Sequence, residues 1–303
     1  MGRTITVAAA QTGPVLTDER APGVEAACAM LEEAARAGVA IICFPEVFLS
    51  PFFPNRLTQD YERFFVSLPD SGIDPLFRLA REKRIAMIFA FAERARSYFY
   101  NSAAVFDRGG RHLGTYRKTH IPAYFPSELR GGTGSYEKFY FSPGSALPVF
   151  ELEGVRCGIQ ICNDRLYPEG SRVLALRGAE IIFMPIAYAT YGNDQYRVAI
   201  WDLPLQARAF DNGVFVVAAN RVGDESGRLH IGKSAIVNPL GGRIVKQAGM
   251  DLPELLVAEI DLDDVVRARQ SLPWWRDRRP ELYGDLTAPQ APAATATEGP
   301  RAP

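Results

Sequence analysis

Five short, nearly uninterrupted apolar runs constrain what this chain can fold into. They are Val39–Phe44, Ile85–Phe91, Val155–Cys162, Glu180–Ile186 and Val214–Ala219. Runs of this length without polar alternation read as strands covered on both faces, which belong to sheets flanked by other layers. Between them, residues 24–36, 74–83, 168–177 and 203–212 carry helical patterns. Gly38 and Gly178 suit positions just past helix ends, and Pro168 with Glu169 suits a first turn. Strands over 4–10, 100–106 and 255–260 and a short helix over 263–269 are expected as well. Residues 230–238 and 243–246 read as an antiparallel hairpin around Pro239-Leu240-Gly241-Gly242. This alternation predicts an α/β fold with a mixed sheet or a pair of sheets. One domain is expected over residues 1–286, followed by a disordered tail, 287–303, dominated by Ala, Pro, Thr and Gly.

With 303 residues, 47% of them hydrophobic, the chain can bury a sizeable core. Its net charge of −1, without a basic stripe, argues against nucleic acid or an anionic membrane as partner. No apolar stretch approaches transmembrane length, and residues 1–10 lack the flanks of a signal peptide. The four cysteines have no disulfide-framework spacing, which predicts a reducing, cytoplasmic compartment. Cys157 and Cys162, five apart on one strand, should point to opposite faces. His112, His120 and His230 are too scattered to complete a metal site with them, so no metal is expected.

Three residues carry candidate chemistry. Glu46 directly follows the run 39–44, at the strand end where α/β folds place their sites; the other reading is a solvated loop residue. Cys162 stands where a strand turns into a helix, a place that lifts a thiol beside backbone N–H groups; the other reading is an inert core cysteine. Lys118 lies in the extended stretch Gly114–Pro122 and alone would be an ordinary surface lysine. Together they suit nucleophilic acyl transfer: a thiolate attacks a carbonyl, a carboxylate moves the proton, and an ammonium stabilises the oxyanion. His120 is the nearest histidine for a Cys–His pair, or else a substrate ligand. Gly131-Gly132-Thr133-Gly134 matches neither phosphate-loop pattern and is given no nucleotide role. The loop with Phe48, Pro51, Phe52, Phe53 and Pro54 either walls an apolar pocket or simply packs.

The strings Phe44-Pro45-Glu46, Tyr116-Arg117-Lys118-Thr119-His120-Ile121-Pro122, Tyr136–Gly144 and Ile161-Cys162-Asn163-Asp164-Arg165 resemble the nitrilase (carbon–nitrogen hydrolase) superfamily over residues 4 to about 285. Within it, Cys162–Arg165, the run Leu174–Ile182 and Phe52-Phe53-Pro54 look most like the N-carbamoyl-D-amino-acid amidohydrolases. Glu137–Phe141 and Ala218–Gly223 look equally like the N-carbamoylputrescine amidases. The resemblance implies a four-layer αββα sandwich, a homodimer or homotetramer, a small-molecule substrate and no cofactor. It implies Glu46 as general base and acid, Lys118 and the Asn163 N–H as oxyanion donors, and Cys162 as nucleophile. Glu137 matches a fourth acidic residue, otherwise a structural ion-pair partner. Arg165 and His120 match substrate ligands, although Leu166 and Ser135 replace an Arg and a His of the D-carbamoylase pattern. The alternative for Arg165 is an ion pair with Asp164 or Glu169. The expected activity is hydrolysis of an N-carbamoyl amino acid, with the D series favoured. The alternatives are a carbamoyl-amine or ω-amide hydrolase and, from another class, a catalytically silent scaffold, against which the intact Glu46, Lys118 and Cys162 set argues.

Overall fold

Period-2 burial on both faces of the central strands builds the layers. A computed structural model describes residues 2–122, 135–190 and 195–288. Its first sheet joins β1 (Thr4–Gln11), β2 (Ile41–Cys43), β3 (Ala86–Ala95), β4 (Tyr98–Phe106), β5 (His112–Arg117) and a late strand, Glu254–Asp261. Two helices follow strands of this half, α1 (Ala21–Arg36) and α2 (Asp74–Glu82). After a single-turn helix, α3 (Glu137–Tyr140), the second half begins with β6 (Val149–Leu152) and β7 (Val155–Ile159). It continues through α4 (Pro168–Leu176), β8 (Ile181–Pro185), β9 (Ala189–Thr190), α5 (Gln195–Ala199) and α6 (Asp202–Asn212). The strands β10 (Phe215–Ala219), β11 (Val222–Glu225), β12 (Arg228–Ile231), β13 (Ala235–Val237) and β14 (Ile244–Gln247) precede the late strand, β15. The helix α7 (Asp263–Ser271) comes next.

The sheet orders are β15-β1-β2-β3-β4-β5 and β14-β13-β10-β8-β7-β6. Each has three parallel central strands, β1/β2/β3 or β7/β8/β10, extended by antiparallel strands on both sides. One set of alternate residues, including Ala9, Cys43, Ile88, Ile159, Phe183 and Val217, meets between the sheets in a single buried cluster. The other set, including Ala8, Ile42, Phe44, Met87 and Phe89, packs under Val24 and Leu31 of α1 and Leu76 of α2. On the far side α6 lies on β10 and β13, and Leu174 of α4 sits against Gly158 of β7. The expected αββα sandwich is the fold observed. Among the described residues no helix is long and apolar enough to cross a membrane.

Two local expectations change. The stretch 230–238 is not one strand, because Gly232 and Lys233 take φ of 65° and 57° and break it. A Cβ at Gly232 would stand 2.5 Å from the Gly249 carbonyl oxygen, so only glycine suits that turn. His230 therefore joins a small third sheet, β11-β12-β9, while β13 and β14 form the expected hairpin. Cys157 and Cys162 do not point to opposite faces. β7 stops at Ile159, Cys162 belongs to a 3₁₀ turn (Cys162–Leu166), and both pack against the layer between the sheets.

From Arg269 the chain forms a separate compact unit with the one-turn α8 (Trp274–Asp277) and short 3₁₀ turns at Pro280–Leu282 and Gly284–Leu286. The glycine loop 131–134 and residues 289–303 of the expected tail lie outside the described residues.

Within the main unit, one close approach fixes the strand end that carries Lys118. The Gly144 N–H donates to the Lys118 carbonyl at 2.8 Å, and a Cβ at Gly144 would stand 2.2 Å from the Arg117 carbonyl oxygen. Gly144→Ala is expected to destabilise the protein by about 1–3 kcal/mol through overpacking. The check is the midpoint of urea unfolding, which should fall without a change in slope.

Candidate functional site

The C-terminal ends of two central strands, β2 and β7, and of the edge strand β5 converge on one buried cluster. Glu46 follows β2 after Pro45, Lys118 follows β5, and Cys162 follows β7. Glu46 and Lys118 are fully buried, so neither is the solvated or surface residue that each could be on its own. The Lys118 Nζ donates to Glu46 Oε1 at 2.8 Å and to Glu137 Oε2 at 2.6 Å. Glu46 also accepts from the Asn101 side chain (2.7 Å) and the Ala187 N–H (2.9 Å). Glu137, on α3, has besides Lys118 a long hydrogen-bond contact from the Ser135 hydroxyl, 3.4 Å, as its only other such partner among the described residues.

Those partners decide how the charges sit. Burial pushes the Glu46 carboxyl up, but the Lys118 ammonium and the hydrogen bonds from Lys118, Asn101 and the Cys162 thiol outweigh it. The result lies below the ordinary carboxylate value. Burial also dominates at Glu137, where Lys118 compensates less and the Glu46 charge adds to the rise, so its carboxyl is raised. Burial disfavours the Lys118 ammonium, yet Glu137 and Glu46 more than restore it and its pKa is raised. At Cys162, burial and then the Glu46 charge push the thiol up to about 11.

Cys162 adopts φ 46°, an unusual conformation for a residue with a Cβ. The buried Asp164 holds the turn in it. Its Oδ2 accepts from the Ile161 N–H (2.8 Å) and the Tyr116 hydroxyl (2.7 Å). Its Oδ1 accepts from the His120 N–H (2.9 Å) and the Thr119 hydroxyl (3.1 Å). Burial raises the Asp164 carboxyl, but hydrogen bonds from His120 and Tyr116 bring it below its ordinary value. Asp164 is thus not the ion-pair partner of Arg165; it ties the cysteine turn to the end of β5.

A cavity of about 670 Å³ opens beside Cys162, lined by Ser135, Glu137, Asn163, Arg165, Arg197 and Arg228 among others. The Arg165 Nη1 donates to the Cys162 carbonyl (2.7 Å) and lies 3.7 Å from Cys162 Sγ. Its Nε is buried without a hydrogen-bond partner among the described residues. Its guanidinium faces the Tyr188 ring at 4.9 Å. Asn163 spends its side-chain amide on the His120 carbonyl (3.0 Å). His120 itself is not brought to the cavity wall: its Nδ1 is 2.9 Å from Asp164 Oδ1 and its ring stacks on Tyr167 at 4.1 Å. The Phe-rich loop divides. Phe52 reaches the wall under the Arg228 guanidinium (4.2 Å), whereas Phe53 packs among Phe64, Phe65, Tyr140 and Phe141. Among the described residues no three His, Cys, Asp or Glu side chains group so as to hold a metal ion.

Sequence reading missed Asn101, Asp164, Arg197 and Arg228. Asn101 had a signal, a polar residue with Ser102 near the start of a strand that is apolar from Ala103 on. Arg197 and Arg228 had none, since only the fold brings α5 and the third sheet beside β7.

Three comparisons bear on this site. A family model described as carbon–nitrogen hydrolase matches residues 6–270. An N-carbamoylputrescine amidase of Oryza sativa subsp. japonica is 35% identical, covering 93% of this chain and 94% of its own length. A citrullinase of Francisella tularensis is 33% identical, covering 84% and 88%. The crystal structure of a carbon–nitrogen hydrolase from Helicobacter pylori superposes with a TM-score of 0.83 at 28% identity, covering 94% of this chain and 99% of that one.

The depressed Asp164 carboxyl makes stability pH-dependent with a definite sign. A lowered folded-state pKa contributes stability above the unfolded-state value, about 3.9, and loses it as pH falls through the folded value. Unfolding free energy should therefore drop below about pH 4. Asp164→Asn should be less stable at pH 7, with a shallower acid slope, in urea titrations across pH.

Proposed function

The chain belongs to the carbon–nitrogen hydrolase family, and on that premise we propose that it cleaves the ureido C–N bond of an N-carbamoyl amino acid. That it is an enzyme hydrolysing carbon–nitrogen bonds other than peptide bonds follows from its relatives, which are amidases. The substrate class is supported by one observation above all. Arg165 holds a buried Nε, without a hydrogen-bond partner among the described residues, in a side chain whose Nη1 is 3.7 Å from the Cys162 sulfur. A guanidinium beside the attacking sulfur is placed for a carboxylate on the carbon next to the ureido nitrogen, and guanidinium suits carboxylate. Arg197 and Arg228 add positive charge to the same cavity. The string Cys162–Arg165 supports the D series.

At neutral pH Cys162 carries its proton and Glu46 is a carboxylate. As the sulfur attacks the ureido carbon, the thiol proton passes to Glu46. The oxyanion forms beside the Lys118 ammonium and the Asn163 N–H. Collapse expels ammonia, which takes the proton from Glu46. Water, deprotonated by Glu46, then attacks the carbamoyl thioester and frees Cys162. The released carbamate breaks down to carbon dioxide and the amino acid. Glu137 keeps Lys118 charged and in place.

A second reading is an N-carbamoylputrescine amidase, favoured by the 35% identity to the rice enzyme. Charge weighs against it: a distal ammonium would enter a cavity lined by Arg165, Arg197, Arg208 and Arg228, while Glu46 and Glu137 already bind Lys118. An ω-amide hydrolase is the remaining relative-based reading, at 30% identity to the human ω-amidase. The four free thiols support a reducing, cytoplasmic setting. Exposed Leu176, Leu203 and Phe210 on α4 and α6 support a homodimer or homotetramer, which light scattering would measure.

Ammonia release from N-carbamoyl D- and L-amino acids, N-carbamoylputrescine and simple amides tests the reading. Turnover of N-carbamoyl amino acids is expected, and turnover of the putrescine derivative alone would overturn it. Cys162→Ala and Glu46→Gln should abolish activity, and Lys118→Met should lower kcat at least about 100-fold. Arg165→Met should lower kcat/KM on the carboxylate substrate about 100-fold while sparing a neutral amide. Glu46 acts as carboxylate and its pKa is lowered, so kcat/KM should fall only as pH drops below the usual carboxylate range of about 4. With the thiol near 11, the profile should stay flat through pH 9 or so.

A further inference from the structure

A second buried charge network grips the backbone of Glu46 and the turn that follows it. Arg221, at the link between β10 and β11, is fully buried. Its Nη2 (2.9 Å) and Nε (3.3 Å) donate to the Glu46 carbonyl, and Nη2 also donates to the Val47 carbonyl. Its Nη1 donates to the Ser50 carbonyl (2.9 Å) and to Glu225 Oε1 (2.7 Å). Glu225 in turn accepts the N–H of Phe52 at 3.0 Å and that of Val15 at 3.0 Å. Arginine and glutamate therefore grip the turn after β2 from residue 46 to residue 52. Within that turn Val47 takes φ 40°, which is strained for a β-branched residue and persists only where its surroundings impose it.

We propose that Arg221, with Glu225 as counter-ion, is a positioning residue for Glu46, holding the 46–50 backbone in the conformation that aims the carboxylate at Lys118 and Cys162. Arg221 touches no reacting atom; it acts only through the Glu46 backbone. Lysine cannot replace the grip in full, because a point donor does not span carbonyls as a planar fork does. The groups facing Glu46 are Lys118, Glu137 and Cys162, and those facing Glu225 are Arg221 and His230, whose Nε2 is 3.4 Å away. The inference rests on Glu46 being the base of the proposed reaction.

The test uses the full chain and the compound that the unmodified enzyme turns over, with Glu46→Gln as reference. Arg221→Gln alone leaves Glu225 buried and unpaired and can fail to fold. The double variant Arg221→Gln/Glu225→Gln removes both charges and carries the test in that case. In either variant, folded by circular dichroism, kcat should fall about 100-fold, as misplacement of a catalytic group by about 1 Å would cause. KM should change less than about threefold. The acid limb of kcat/KM should move up by about one pH unit or more as Glu46 loses its contacts with Lys118 and Asn101. Arg221→Lys should fall between. A folded double variant with the original kcat, or a loss of kcat with an unmoved acid limb, would show a role in stability alone and overturn the proposal. Activity in Glu46→Gln would instead strike the assignment of the base, a failure that the Arg221 variants do not produce.

Discussion

The Lys118 ammonium, buried between the carboxylates of Glu46 and Glu137, is the interaction on which the rest of the site depends. Two acids and one base in a dry interior leave one negative charge in excess, and the partners determine where it resides. Among the described residues Glu46 has three donors within 3 Å, whereas Glu137 has Lys118 and one long hydroxyl contact. Glu46 is therefore held below the ordinary carboxylate value, while burial and the Glu46 charge raise Glu137 above it. Removing the lysine would strand buried carboxylates, a loss of about 3–5 kcal/mol. The same charge that makes Glu46 a base keeps the Cys162 proton on sulfur until the substrate arrives.

Around this ion cluster the fold supplies rigid backbone from both sheets. Glu46 and Lys118 come from the ends of first-sheet strands, and Cys162 and the Ala187 N–H from the ends of second-sheet strands. The two halves are locked by polar ties as well as by the apolar layer between them. Asp164 binds the cysteine turn to Tyr116, Thr119 and His120, and Arg221 binds the β10 end to the Glu46 turn. Two residues with positive φ, Val47 and Cys162, sit inside those ties.

Much of this was legible in the chain. The apolar run 39–44 is hydrogen-bonded to both neighbouring strands from Ala40 to Phe44, and Glu46 follows it at the expected end. Cys162 stands at a strand-to-helix turn as expected, although an intervening 3₁₀ turn changes its facing relative to Cys157. His120 was legible as a polar residue near the site but not as a ring stacked on Tyr167, because that pairing joins segments far apart in sequence. The cationic wall was half legible, through Arg165. Arg197 and Arg228 reach it from α5 and a third sheet that one broken strand creates.

The sequence alone determined the layer plan and the chemistry available: doubly buried strands demand cover on both faces, and a carboxylate, an ammonium and a thiol stand next to strand ends. Those are properties of local pattern, which period and residue type encode directly. Tertiary structure alone decided which carboxyl is lowered and which raised, which buried guanidinium stands beside the cysteine, and which polar groups hold the strained turns. Those outcomes depend on desolvation and on hydrogen bonds spanning tens to well over a hundred residues, such as Arg221 to Glu46 and Ala187 to Glu46. Neither quantity exists until the two sheets close on each other.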